Sequence, residues 1–286
     1  MGVPVSSLAC WTVMLPTAMK SGSLPFSTRH ARVPAMTPID ELIERMARGL
    51  TALAPDDARR FFHGTYLRTT EAVAAEIRRG GFGDGGWVEQ WDVAFASLYL
   101  EAFDQFRAGE ETSGPWKVAL AATRGDRLPP LRHVLLGMNA HINFDLPQAL
   151  LTMIADAEFD DSELMAQRAA DHEHIDLVLA SRLVAEDELL REVEQPGDRG
   201  VLDRIQFLGR LGTNRFLREA RRKVWRNAVE LSRARRRGPE ELQQRLAELE
   251  QLAMRRVADL VHPRNVIFEL ARRGFGVELP ARTYPA

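Results

Sequence analysis

Cysteine is almost absent from this 286-residue chain, in which Cys10 stands alone. A single thiol excludes an intrachain disulfide framework and a cysteine-built zinc centre. Any metal must then be held by His, Asp and Glu, and the composition fits a reducing, cytoplasmic setting. Long apolar runs are missing as well: no segment is apolar enough to span a bilayer, and the start lacks the basic and apolar regions of an export signal. Gly80 to Gly86 is rich in glycine but has no lysine at phosphate-loop spacing, and no serine stands in a nucleophile-elbow context. Net charge is only -2, which gives no general attraction to nucleic acid. Local charge is less even: residues 199–237 carry thirteen Lys/Arg against three Asp/Glu, and residues 150–198 carry three against fourteen. Opposite blocks this close together read as facing or solvated helix surfaces rather than as a nucleic-acid footprint.

What the chain does have is helical periodicity and 45% hydrophobic residues, enough for a sizeable core. Residues 1–35 mix Ser, Pro, Thr and small residues without a helical period and are expected to form a disordered extension, with Met36 an alternative start. Thr37-Pro38-Ile39-Asp40 then supplies an N-cap, a proline at the first helical position and an acid at the third. Apolar residues recur at helical spacing from Ile39 onward, broken at Gly80–Gly86, Gly109–Pro115, Pro129-Pro130, Pro196-Gly197 and Gly238-Pro239. Only Phe275 to Leu279 alternates as a strand would. The pattern predicts an all-α multi-helix bundle, with residues 36–286 as a single helical domain. Leu246, Leu249, Leu252 and Ala253 have coiled-coil-like spacing over too few heptads to assign an oligomeric state.

Candidate chemistry lies in polar residues on these apolar stripes. On a helix that advances about 100° per residue, His141 and Asp145 share one face and His133 stands about 80° from His141. Their neighbours Leu135, Leu136, Met138, Ile142, Phe144, Leu146 and Leu150 are apolar, so a buried Asp145 needs compensation by a cation or by an Arg or His partner. Asn139 and Asn143 are poor helix formers there and fit a role in orienting ligands. His63 and Asp92 border aromatic stripes, although a core histidine and a dipole-favoured carboxylate account for them equally. In Asp171-His172-Glu173-His174-Ile175-Asp176, either Asp171 with His174 or His172 with Asp176 faces inward, and a solvated charged face is the plain alternative. The aromatic stripe of Phe61, Phe95, Tyr99 and Phe103 reads as core rather than as an apolar ligand pocket. No Glu-x-x-His pair of the di-iron bundle type is present.

Leu136-Gly137-Met138-Asn139-Ala140-His141-Ile142-Asn143-Phe144-Asp145-Leu146-Pro147 resembles the Leu-Gly-x-x-x-His-x-x-x-Asp helix of the zinc-dependent phospholipase C and P1-type nuclease superfamily, which is all-helical. That resemblance implies that His141 and Asp145 are metal ligands. More of the chain, from His63-Gly64-Thr65-Tyr66 through Trp91-Asp92-Val93 to the later Arg-rich helices, resembles a bacterial family catalogued only as a domain of unknown function. The expectation drawn is a metal-dependent hydrolase acting on a phosphoester or related ester of a small-molecule substrate. Zinc or another divalent metal would be held by His141, Asp145 and His63, with Asp92, His133 and His174 as further candidate ligands, Asp171 taking the proton and Arg68 or Arg132 meeting a phosphate. The competing expectation is a non-enzymatic helical binding protein with a buried His/Asn/Asp hydrogen-bond network.

Overall fold

Prolines and short acidic side chains set the helix starts. The computed structural model describes residues 36–125, 128–192, 211–261 and 273–282, so the extension expected over residues 1–35 lies outside the described residues. Thr37 donates from its backbone N–H and its hydroxyl to Asp40 Oδ2, at 3.3 and 3.1 Å, and Pro38 opens α1 (Pro38–Thr51). After α2 (Arg59–Arg78), Asp84 caps α3 (Gly85–Ala108) by accepting the Trp87 N–H at 3.0 Å; Gly109 closes it with φ of 76°, a left-handed conformation that glycine adopts without strain. Prolines stand in the first turns of α4 (Gly114–Ala121) and α5 (Pro130–Ala140). Asp161 accepts the Glu163 and Leu164 N–H groups at the start of α7 (Ser162–Glu192). The basic α8 (Leu211–Arg237) and α9 (Pro239–Val261) follow. Among the described residues the regular structure is helical and no β-strand occurs. None of these helices is long and apolar enough to cross a membrane.

The helix that carries His141 is not uniform. His141–Asp145 forms a π-helical turn between α5 and α6 (Leu146–Met153). Pro147 explains why a wider turn is favoured there: it has no N–H for the Asn143 carbonyl, and in a regular α-helix its ring would press on that group. The next carbonyl, Phe144 O, accepts the Gln148 side-chain amide at 2.8 Å. The disruption that Pro147 imposes on a regular helix is thus taken up just upstream, in the turn that holds the two candidate residues.

Two apolar clusters flank that turn. One gathers Phe62, Tyr66, Tyr99, Phe103, Trp116, Leu136 and Leu260; the other gathers Trp87, Val88, Trp91, Ile142, Leu146, Leu150, Val224 and Phe275. The alternating stretch near the C-terminus becomes an extended strap whose Phe275, Val277 and Leu279 side chains are buried. It pairs with asparagine side chains in place of a neighbouring strand. Phe275 O accepts from Asn139 (3.0 Å) and Asn143 (3.1 Å), Val277 N–H donates to Asn143 (2.9 Å), Asn227 donates to Val277 O (3.0 Å), and Leu279 N–H donates to Asn227 (2.8 Å).

α2 and α5 approach closely at Gly137, where an added Cβ would stand 2.3 Å from Phe62 Cγ. The Phe62 ring is hemmed in by Tyr66, Tyr99, Trp116 and His141 and has nowhere to turn. Gly137→Ala is therefore expected to destabilise the protein by about 1–3 kcal/mol in urea melts, despite the roughly 1 kcal/mol of helix propensity that alanine brings. An unchanged midpoint would mean that the two helices do not meet through this contact.

Candidate functional site

The π-helical turn brings His141 and Asp145 together in the interior, each only 3% exposed. His141 Nδ1 lies 2.8 Å from Asp145 Oδ2, and the Trp116 indole N–H donates to the same oxygen at 2.7 Å. With the carboxylate oxygen accepting at both contacts, the imidazole proton sits on Nδ1 and Nε2 carries the lone pair. Burial pushes the His141 pKa down, opposed by the hydrogen bond and charge of Asp145, so the ring is neutral near pH 7. Burial pushes Asp145 up, opposed by His141 and then Trp116. Of the two compensations expected for Asp145, the structure supplies a histidine partner.

The free end of this chain of bonds is the chemically notable part. His141 Nε2 and Asp92 Oδ2 are buried without a hydrogen-bond partner, and the buried Tyr66 and Thr70 hydroxyls beside them find only each other. They come from α2, α3 and the π-helical turn, yet they share one neighbourhood. The Tyr66 ring centre lies 4.6 Å from that of His141. Phe95 stands one helical turn beyond Asp92 and stacks face to face on the imidazole, with centroids 3.6 Å apart and planes 4° apart. Thr70 follows Tyr66 by one turn on α2. Burial drives the Tyr66 phenol pKa well up, helped by the nearby carboxylates of Asp92 and then Asp145. Desolvation alone raises Asp92 to about 7. A neutral imidazole with an open lone pair beside a carboxyl that titrates near neutrality is a combination suited to moving protons.

The other expected site residues are engaged elsewhere. Among the described residues, no group of three or more His, Cys, Asp or Glu side chains is placed to hold a metal ion. His63 is fully buried with both ring nitrogens in use, Nδ1 with Tyr99 Oη and Nε2 with Met46 O, both at 2.8 Å. His133 stacks on Phe61 with its pKa lowered to about 4 by burial. His174 pairs with Glu76 at 2.9 Å. Asp171 faces inward, as does His172, but its carboxylate accepts the Gly83 and Asp84 N–H groups at 2.7 and 3.0 Å and so fixes the loop before α3. Arg132 donates to Leu260 O (2.8 Å) and Arg68 to Thr65 Oγ1 (3.3 Å). The side chains of Asn139 and Asn143 bond the C-terminal strap. Of the expected metal ligands, the structure brings Asp92, His141 and Asp145 near one another, and His63, His133 and His174 are engaged elsewhere.

Tyr66, Thr70 and Trp116 complete the cluster without having been singled out by sequence. A signal was available for the first two. Phe62, Tyr66 and Thr70 recur every four residues on one face of α2, so a hydroxyl pair continues an apolar stripe inward. Trp116 offered none, because its indole N–H finds Asp145 across 29 residues.

Residues 39–263, more than half of the chain, match a family described as a family of unknown function (DUF5995). No curated protein and no solved structure matches the chain.

Proposed function

We propose, for a chain that belongs to the DUF5995 family of unknown function, that the buried cluster of Tyr66, Thr70, Asp92 and His141 is a small-molecule site capable of general acid–base chemistry. The observation that carries this reading is the pair of unpartnered polar atoms, His141 Nε2 and Asp92 Oδ2, gathered with the Tyr66–Thr70 hydroxyl pair from three different elements. An unpaired buried polar group costs about 1–3 kcal/mol, and a fold seldom keeps an imidazole and a carboxyl in that state in one neighbourhood without a use. A polar ligand would satisfy them. Asp145 orients the imidazole through Nδ1, so Nε2 of His141 is the base; Asp92 is the second proton carrier, and Tyr66 and Thr70 supply hydrogen bonds that hold the ligand. Phe95 is only partly buried and covers the imidazole face, which places it on the path between His141 and the surface. Hydrolysis of an ester is one reaction this pair can serve, with His141 accepting the proton of an attacking water.

Zinc does not fit as the agent of that reaction. A zinc ion needs three protein donors with open coordination, whereas both His63 nitrogens are bonded to Tyr99 and Met46, His174 is held by Glu76, and among the described residues no three His, Cys, Asp or Glu side chains are placed to share an ion. The competing reading, a purely structural network, has its own support in the Trp116–Asp145–His141 chain and in the asparagines that hold the strap. It accounts for those bonds and leaves His141 Nε2 and Asp92 Oδ2 unexplained.

A thermal-melt screen of small polar metabolites against chelator-treated protein separates the two. At least one compound is expected to raise the melting temperature by about 3 °C or more at saturating concentration, and to lose most of that effect in His141→Gln and Tyr66→Phe. Stabilisation that is equal in wild type and both variants, or no stabiliser at all, would reject an interior ligand site.

A further inference from the structure

A second feature lies away from this cluster, between α7 and α8. A cavity of about 630 Å³ opens there, within the size range of small-molecule sites. His172 and Trp225 are on its wall, their ring centres 5.4 Å apart, and Trp91 backs the imidazole at 5.5 Å. His172 is 2% exposed, and its Nε2 has no hydrogen-bond partner. Four arginines of α8 also line the cavity. Arg221 is buried, lies 2.8 Å from Asp176 and donates to the His172 carbonyl, so it builds the wall. Arg226 pairs with Glu278 at 2.8 Å. Arg218 and Arg222 stand one helical turn apart on the exposed side, and neither makes an ion pair among the described residues. His174 is held by Glu76, so the remaining negative charge on the lining is that of Glu173. The lining therefore carries an excess of positive charge beside a half-buried indole face. Leu177, 56% exposed, gives the rim an apolar edge.

We infer that the cleft between α7 and α8 binds a planar small-molecule anion, with its ring against Trp225 and its phosphate or carboxylate between Arg218 and Arg222. Guanidinium groups meet both oxyanions through paired N–H donors, and an indole face with an apolar rim selects a flat ring over an extended chain. A cleft of this volume suits one small molecule better than a polymer strand. This site does not depend on the chemistry proposed around His141.

Calorimetric titration of the full chain with adenosine 5′-monophosphate, benzoate and inorganic phosphate tests the inference. Saturable binding of the nucleotide or of benzoate is expected, at least about tenfold tighter than inorganic phosphate. Whichever ring compound binds tells a phosphate from a carboxylate ligand. Arg218→Gln/Arg222→Gln should weaken it by about tenfold or more while leaving the melting temperature unchanged, since both side chains are exposed. Trp225→Leu should remove the advantage of the ring compound over phosphate. No saturable heat with either ring compound overturns the site, and so does binding that survives the double substitution. A single-stranded oligonucleotide that binds more tightly than the mononucleotide, with a steep loss on adding salt, overturns it in favour of a nucleic-acid surface.

Discussion

Asp92→Asn is expected to melt well above the wild-type protein at pH 8 and together with it near pH 4. Burial raises the Asp92 pKa from 3.8 to about 7, with no opposing cation or hydrogen bond to lower it. In the unfolded chain the same carboxyl ionises near its ordinary value. Below that value both states hold the proton and the shift costs nothing. As the pH rises toward 7, the unfolded state releases its proton while the folded state retains it, so stability falls progressively; above about 7 the penalty is constant. About three pKa units correspond to roughly 4 kcal/mol at most. For a chain of this length that is on the order of 10 °C in melting temperature. Asparagine keeps the shape without the charge and should recover most of it at pH 8. The substitution should at the same time abolish any proton transfer that needs Asp92, because functional residues are commonly kept at a cost in stability. Melting curves from pH 4 to pH 8 decide the matter. If the two proteins keep a constant offset across the range, or if asparagine is the less stable at pH 8, Asp92 has an ionic partner and does not titrate near neutrality.

The same residues show how far the sequence could be read. Helix starts were legible because they are local: Thr37-Pro38, Pro129-Pro130 and Asp161-Ser162 place caps and prolines within a turn of the first periodic residue, and the helices begin there. His141 and Asp145 were legible as a pair for the same reason, since four residues on one helical face must meet. What they meet is not local. Asn139 and Asn143 stand beside them in sequence and look like supports for a ligand, yet their partners lie more than 130 residues away, on the strap. His63 offers the same imidazole as His141, and only its packing against Tyr99 and Met46 O shows that both nitrogens are spent. Composition cannot separate a satisfied buried histidine from an open one. The π-helical turn follows from Pro147 in retrospect, but a proline at that position is equally compatible with a kink, which is what its chemistry alone suggests.

Asp145→Ala should be among the most damaging single changes in this protein, and Asp145→Asn far milder. The alanine variant strands two buried donors, the Trp116 indole N–H and the His141 Nδ1–H, both of which now end on Oδ2. Removing one partner of a buried, charge-assisted network typically costs about 3–5 kcal/mol. Because a single oxygen receives both bonds, the carbonyl oxygen of asparagine can take its place, and the loss should stay near about 1 kcal/mol. What asparagine cannot supply is the negative charge. In the wild type, that charge and its hydrogen bond raise the His141 pKa against the burial that lowers it. Without it the imidazole becomes a weaker base, read by the nitrogen chemical shifts of His141 across a pH titration, while urea melts remain close to wild type. Each variant thus isolates one function of the carboxylate: alanine reports on what it holds together, asparagine on what it does to the proton affinity of Nε2. An Asp145→Ala protein as stable as the wild type would show that Trp116, Asp145 and His141 do not form a bonded chain in solution, and Nε2 would then lack the orientation on which its role as a base depends.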